Sequence, residues 1–221
     1  MDSSDVIPLP DRWADRWSHC LEWMGLGMVF IPAGERLLKC YSESGRHYHD
    51  ARHVLKCLEV LDNFSGNVRD PDALELALWF HDAVYDPKAA PGANEFLSGE
   101  LFRKEFQMLA GGHIDIEQVV RLITATRHHR EPEDADEALI IDIDLGILGA
   151  DSIRYDVYAE DVRKEYAHVE DEAFRKGRIE VIHSFLRRKS IYWTRHFRSY
   201  LEKKARENLE RELVRLIGKT T

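Results

Sequence analysis

Apolar residues recur along this chain at the three- and four-residue spacing of amphipathic helices, and no run alternates with the period of two that a half-buried strand needs. The pattern predicts helices near residues 11–25, 33–43, 46–63, 71–84, 93–110, 115–129, 134–149, 151–168, 171–188 and 191–217. Punctuation supports the breaks. Ser65-Gly66 ends one helix and Asp70-Pro71-Asp72 caps the next, with a carboxylate at the cap and proline where its missing N–H costs nothing. Asp86-Pro87 with Pro91-Gly92 makes a loop, as do Gly111-Gly112 and Glu131-Pro132. The segment Leu76–Tyr85 is apolar nearly all round, which marks a buried helix. On the last helix Phe197, Leu201, Ala205, Leu209, Leu213 and Leu216/Ile217 form one stripe opposite Lys203, Arg206 and Glu210. The expectation is an all-α protein, one domain of about ten helices spanning 1–221.

Composition agrees with a folded chain. Of 221 residues, 44% are hydrophobic and 32% charged, enough for a sizeable core. No apolar run approaches the roughly 18 residues of a membrane span, and the acidic start MDSSDVIPLPDRW is unlike a secretory signal. Cys20, Cys40 and Cys57 are too scattered for a thiol metal cluster or a disulfide framework. These features point to a soluble, cytoplasmic protein with no membrane partner. The net charge of −9 argues against broad nucleic-acid binding. From Arg187 to Thr221, 11 Lys/Arg stand against 4 Asp/Glu, so the rest of the chain carries −16. A basic final helix over 187–221 is expected to dock on the acidic body. Trp13 and Trp17, four apart, share a helical face as core or dimer contacts, and Trp23 does not share it. Apolar stripes on the terminal helices are compatible with a homodimer.

Candidate chemistry lies in four segments that bring His or Asp into apolar surroundings. In GRHYHDARHV, His49 and His53 are spaced to share a helix face. In LALWFHDAVYDP, His81 and Asp82 sit within the buried helix; a buried carboxylate is costly unless paired or bound to a metal. A His–Asp pair satisfied within the core is the alternative. In TATRHHRE, His128 and His129 end a helix between Arg127 and Arg130. In IIDIDLGILG, Asp142 and Asp144 are about 200° apart on a helix, so one of them faces any given site. Mixed imidazole and carboxylate ligands suit Mn, Fe, Co, Ni or Zn, and carboxylates with water also hold Mg.

The order His, His-Asp, Asp on an all-α scaffold resembles the HD superfamily of metal-dependent phosphohydrolases. The resemblance is closer still to a group of bacterial proteins of roughly 200 residues described as predicted HD phosphohydrolases. The similar features run through RHYHDARHV, WFHDAVYD, NEFLS, DIDLGILG, YDVYAEDVRKEY and ARENLERELVRL, with a metal-site core over 35–168. The resemblance implies one divalent ion held by His53, His81, Asp82 and Asp144. Tyr48-His49-Asp50 followed by His53 looks like the cyclic-nucleotide phosphodiesterase pattern, with His53 on the metal and His49 as proton donor. The spacing in shorter HD hydrolases would instead put His49 on the metal. Asp144-Leu145 matches the final ligand better than Asp142-Ile143. A second metal would need His128 or His129, while Asn94-Glu95 stands where binuclear relatives carry another His.

The activity implied is hydrolysis of a nucleotide or another small phosphate ester. The ion would activate a water for in-line attack on phosphorus. Asp82 would orient that water and His49 protonate the leaving oxygen. Arg46, Arg52, Arg127 and Arg130 border the motifs and are candidates to hold phosphate. Glu95 either orients water beside the metal or favours the start of its helix. Tyr155, Tyr158, Arg163 and Tyr166 either close a pocket wall or pack, with an internal salt link at Arg163. A metal- or nucleotide-binding module without catalysis and a di-iron oxygenase are the competing functions.

Overall fold

The computed structural model describes residues 7–64, 66, 68–107, 113–127 and 131–218. Among them are ten α-helices and no strand. The chain forms two compact units, residues 1–130 and 131–221.

The first unit contains α1 (Leu9–Trp23), a 3-10 turn (Met28–Phe30), α2 (Ile31–Cys40), α3 (Ala51–Asp62), α4 (Pro71–Phe80), α5 (Ala93–Phe106) and α6 (Ile116–Ala125). Helix α4 is its centre. Leu74, Leu76, Ala77, Leu78, Trp79 and Phe80 are wholly buried on every face of the helix, as its unbroken apolar sequence requires. It packs against α3, α5 and α6. Trp79 meets Trp13 and Trp17 edge to face at 4.7 and 5.1 Å between ring centroids, so α1 presents both tryptophans to the core. Their indole N–H groups donate to Gly34 O and Phe30 O, which satisfies polar atoms that burial would otherwise strand. A β-carbon at Gly34 would stand 2.3 Å from the Trp17 ring, so this crossing admits only glycine. Trp23, off that face, is exposed.

The second unit contains α7 (Ala135–Asp144), a 3-10 segment (Leu145–Gly149), α8 (Ser152–Glu165), α9 (Asp171–Leu186) and α10 (Arg195–Gly218). Helix α10 lies on the 3-10 segment and on α9. Its inward stripe holds Phe197, Ala205 and Leu209 as expected, with Asn208 and Glu212 buried beside them. Ile217 is exposed. Arg206, expected on the solvent face, instead donates to the carbonyls of Leu186 and Arg188 and pairs with Glu202. Three of the basic residues are therefore spent inside the unit, since Arg211 and Arg215 also pair with Asp156.

Five helices start on an aspartate whose carboxylate accepts first-turn N–H groups: Asp50, Asp70, Asp115, Asp134 and Asp151. Asp50 corrects the sequence reading. The helix expected over 46–63 begins only at Ala51, and residues 46–50 precede it. Likewise the helix expected over 71–84 ends at Phe80, and the one expected to start at 191 starts at Arg195. No described helix is long and apolar enough to cross a membrane.

Candidate metal centre

The site in the first unit is built on two helix ends. Asp50 accepts from the N–H groups of Arg52 and His53, which fixes the first turn of α3. His53 projects from that turn. His81 caps the C-terminus of α4, and Asp82 follows it in the turn, not within the helix as its apolar flanks suggested.

The turn is held by the last turn of α4 itself and by two side chains from elsewhere in the unit. The last carbonyls of a helix lack intrahelical partners and need others. His81 Nδ1 lies 2.8 Å from Leu78 O. A carbonyl only accepts, so Nδ1 carries a proton, and in the neutral ring Nε2 presents a lone pair. The buried Tyr41 hydroxyl donates to Trp79 O at 3.1 Å and accepts from Asp82 N–H at 3.2 Å. Arg46 donates to Asp82 O at 2.6 Å, Ala83 O at 2.9 Å and His49 O at 3.0 Å. Arg46 thus ties the segment before α3 to the turn after α4. The role expected for it, holding phosphate, gives way to a positioning one, because its donors are committed to backbone.

The result is a convergence of ligand atoms. His53 Nε2 and His81 Nε2 stand 3.1 Å apart. Asp82 Oδ2 is 3.2 Å from His81 Nε2 and 3.8 Å from His53 Nε2. The two histidines are buried, whereas the Asp82 side chain keeps 16% of its surface and forms the more open edge. Burial pushes the Asp82 carboxyl up, but His81 with His49 and His53 beside it outweighs burial and holds it below the usual carboxylate range. For a tetrahedral ion bound by nitrogen at about 2.05 Å, two ligand atoms sit about 3.3 Å apart. Two of the three separations, 3.1 and 3.2 Å, fit that requirement, and the third, 3.8 Å between His53 and Asp82, is wider.

Of the two histidines weighed for this place, His53 is in the cluster. His49 lies before the helix, stacked on Tyr85 at 4.3 Å between centroids, with its ring 6.0 Å from that of His53. The helical spacing that seemed to pair them does not apply, because only His53 is helical. Arg52 is exposed and pairs with Asp50. Arg127 donates to Pro91 O, and its guanidinium occupies the place a β-carbon on Gly92 would take, at a residue whose φ of +82° also favours glycine. Glu95 lies in the first turn of α5, and its buried Oε2 has no hydrogen-bond partner among the described residues. His128, His129 and Arg130 lie outside the described residues.

Asp142 and Asp144 belong to the second unit, where α7 ends at Asp144. Asp142 accepts from the N–H groups of Trp193 at 2.8 Å and Thr194 at 2.7 Å, anchoring the segment that leads into α10. Tyr155 donates to Glu212, and Arg163 bonds Asp171 and the carbonyls of Tyr166 and Val169. Both follow the packing reading.

Two residues of the site had not been singled out. Tyr41 gave no signal, since nothing in its local sequence marks a tyrosine that will reach the end of another helix. Cys57 did: it stands four residues after His53 on α3, and its Sγ lies 3.7 Å from His53 Nε2. No protein-family model matches the chain, and neither a curated protein nor a solved structure does.

Proposed function

We propose that the chain is a metal-dependent phosphohydrolase of the HD type, acting on a nucleotide or another small phosphate ester. The observation that carries this reading is the convergence of His53 Nε2, His81 Nε2 and the Asp82 carboxylate within 3.8 Å of one another. The Nδ1–H bond to Leu78 O orients the neutral His81 ring so that its Nε2 lone pair is directed at that point. The sequence resemblance names Asp144 as a further ligand. A divalent ion bound there supplies Lewis acidity toward a phosphoryl oxygen and makes water a competent nucleophile near neutral pH.

The remaining steps belong to the chain's own side chains. Asp82, at the more open edge, binds and also accepts a hydrogen bond from the attacking water. Tyr41 and Arg46 hold the turn that carries it, so little rearrangement accompanies the reaction. His49 delivers a ring-nitrogen proton to the leaving oxygen, with Tyr85 fixing the ring by stacking. Glu95, with one oxygen buried and available, takes up a proton or orients water. Arg52 and Arg127 contribute positive charge for the phosphate.

The test is a panel of nucleotides and simple phosphate esters supplied with Mn2+, Zn2+, Co2+ or Mg2+, read by release of phosphate or nucleoside. Turnover that His81→Ala abolishes supports the proposal. Metal binding without turnover of any ester would refute hydrolysis and leave a binding module.

A further inference from the structure

Residues 187–204 of the second unit contain seven Lys or Arg and a single carboxylate, Glu202. That carboxylate is already committed. It accepts from the N–H groups of Ile191 at 3.0 Å and Tyr192 at 3.3 Å and pairs with Arg206 at 2.8 Å. Arg206 in turn donates to the carbonyls of Arg188 and Lys189. These bonds hold the connection 188–192 against the side of α10, so the exposed Lys189 stands beside the cations of the helix.

On α10 the buried stripe of Phe197, Ala205 and Leu209 leaves Arg195, His196, Tyr200, Lys203 and Lys204 at the surface. Lys189, Arg195 and Lys204 have no carboxylate partner among the described residues. Lys203 meets Glu207 only at 3.8 Å, with the lysine side chain 90% exposed. Helix stability does not account for this arrangement. The first turn of α10 carries Arg195, His196 and Arg198 and no acidic residue, whereas the positive end of a helix dipole favours negative charge. Among these cations Tyr200 is 71% exposed, its ring tilted against that of His196 at 4.9 Å between centroids.

We propose that this face of the second unit binds single-stranded nucleic acid, with Lys189, Arg195, Lys203 and Lys204 along the phosphates and a base stacked on Tyr200. A ring exposed in this way stacks on an unpaired base, which favours a single strand over a duplex. An anionic membrane would call for aliphatic side chains among the cations. The exposed aliphatic residues of α10, Val214 and Ile217, stand about 20 Å further along the helix. The overall charge of −9 repels a polyanion from the rest of the chain, so the contact is local. This proposal does not depend on the metal centre of the first unit.

The test is fluorescence anisotropy of a labelled single strand of about 12 thymidines, titrated with the full chain between about 50 and 200 mM salt. The expected result is a Kd at or below about 100 µM at the lower salt, and a slope of log affinity against log salt of about −3, as four phosphates on a single strand require. Tyr200→Ala should weaken binding about 5-fold or more with the slope unchanged. Lys203→Glu combined with Lys204→Glu should cut the slope to about half. Lys176→Glu, at a lysine side chain 74% exposed on α9, is the control and should change neither. No binding at about 100 µM chain in the lower salt, or binding that either the Tyr200 or the paired lysine substitution leaves unchanged, would overturn the proposal. Retention on phosphatidylserine vesicles without binding of the strand would also overturn it and assign the face to a membrane surface.

Discussion

The hydroxyl of Tyr41 gives the sharpest stability test, because Tyr41→Phe removes one atom and no packing. That oxygen donates to Trp79 O and accepts from Asp82 N–H, and Tyr41 is 1% exposed, so water is not available as a substitute. Its loss leaves two buried backbone groups unpaired, at about 1–3 kcal/mol each. Allowing for partial relaxation, the variant should lose about 2–4 kcal/mol, which for a chain of this size lowers Tm by roughly 5–12 °C. The same change loosens the turn carrying His81 and Asp82, so metal affinity should fall about 10- to 100-fold, the usual consequence of losing an orienting partner. Tyr200→Phe, at a residue 71% exposed, is the control and should change neither. The assays are thermal unfolding of the metal-free chain and Zn2+ titration by calorimetry. A Tyr41→Phe protein melting like the native one, with unchanged affinity, would refute the view that this hydroxyl holds the turn.

Other consequences follow from the same geometry. Arg178 and Glu212 form a buried ion pair with side chains 9% and 8% exposed, so Glu212→Ala should cost about 3–5 kcal/mol by stranding the guanidinium, measured by urea unfolding; a loss under about 1 kcal/mol would contradict it. Gly34→Ala should destabilise through the clash with Trp17, and Gly45→Ala, where a β-carbon meets nothing within 4 Å, should not. Burial pushes the Asp142 carboxyl up to about 6, although the N–H groups of Trp193 and Thr194 oppose the shift. The folded chain then keeps a proton that the unfolded chain loses near pH 4. This contribution is complete below that pH and is lost as pH rises through about 6. Native stability measured against Asp142→Asn should therefore fall by about 2 kcal/mol between pH 4 and pH 7. A flat or rising difference would contradict the raised value.

Much of the fold was legible because its signals are local. Helical periodicity located the ten segments, and the continuous apolar run Leu76–Phe80 marked α4 as the helix buried on all sides. The tryptophans at 13 and 17 were read as sharing a face, and they do meet Trp79. Helix ends were less legible. Asp50 could have been read as a cap, which would have removed His49 from the helix. The end of α4 carried no such mark, because it is set by Tyr41 and Arg46 from elsewhere in the chain. Arginine roles were the least legible: guanidinium groups beside a motif look alike in sequence, and only the fold reveals that Arg46 is committed to three carbonyls. The thiol of Cys57 was hidden by searching for cysteine clusters when its partners are histidines.

The central claim, that His53, His81 and Asp82 converge in order to hold an ion, is tested most directly by metal analysis of the purified chain beside an Asp82→Ala control. The account predicts about one divalent ion per native chain, held where His53, His81 and Asp82 converge, and its loss from the variant. A native chain that takes up no ion after incubation with Zn2+, Co2+, Mn2+ and Mg2+, or a variant that retains the native amount, would contradict it.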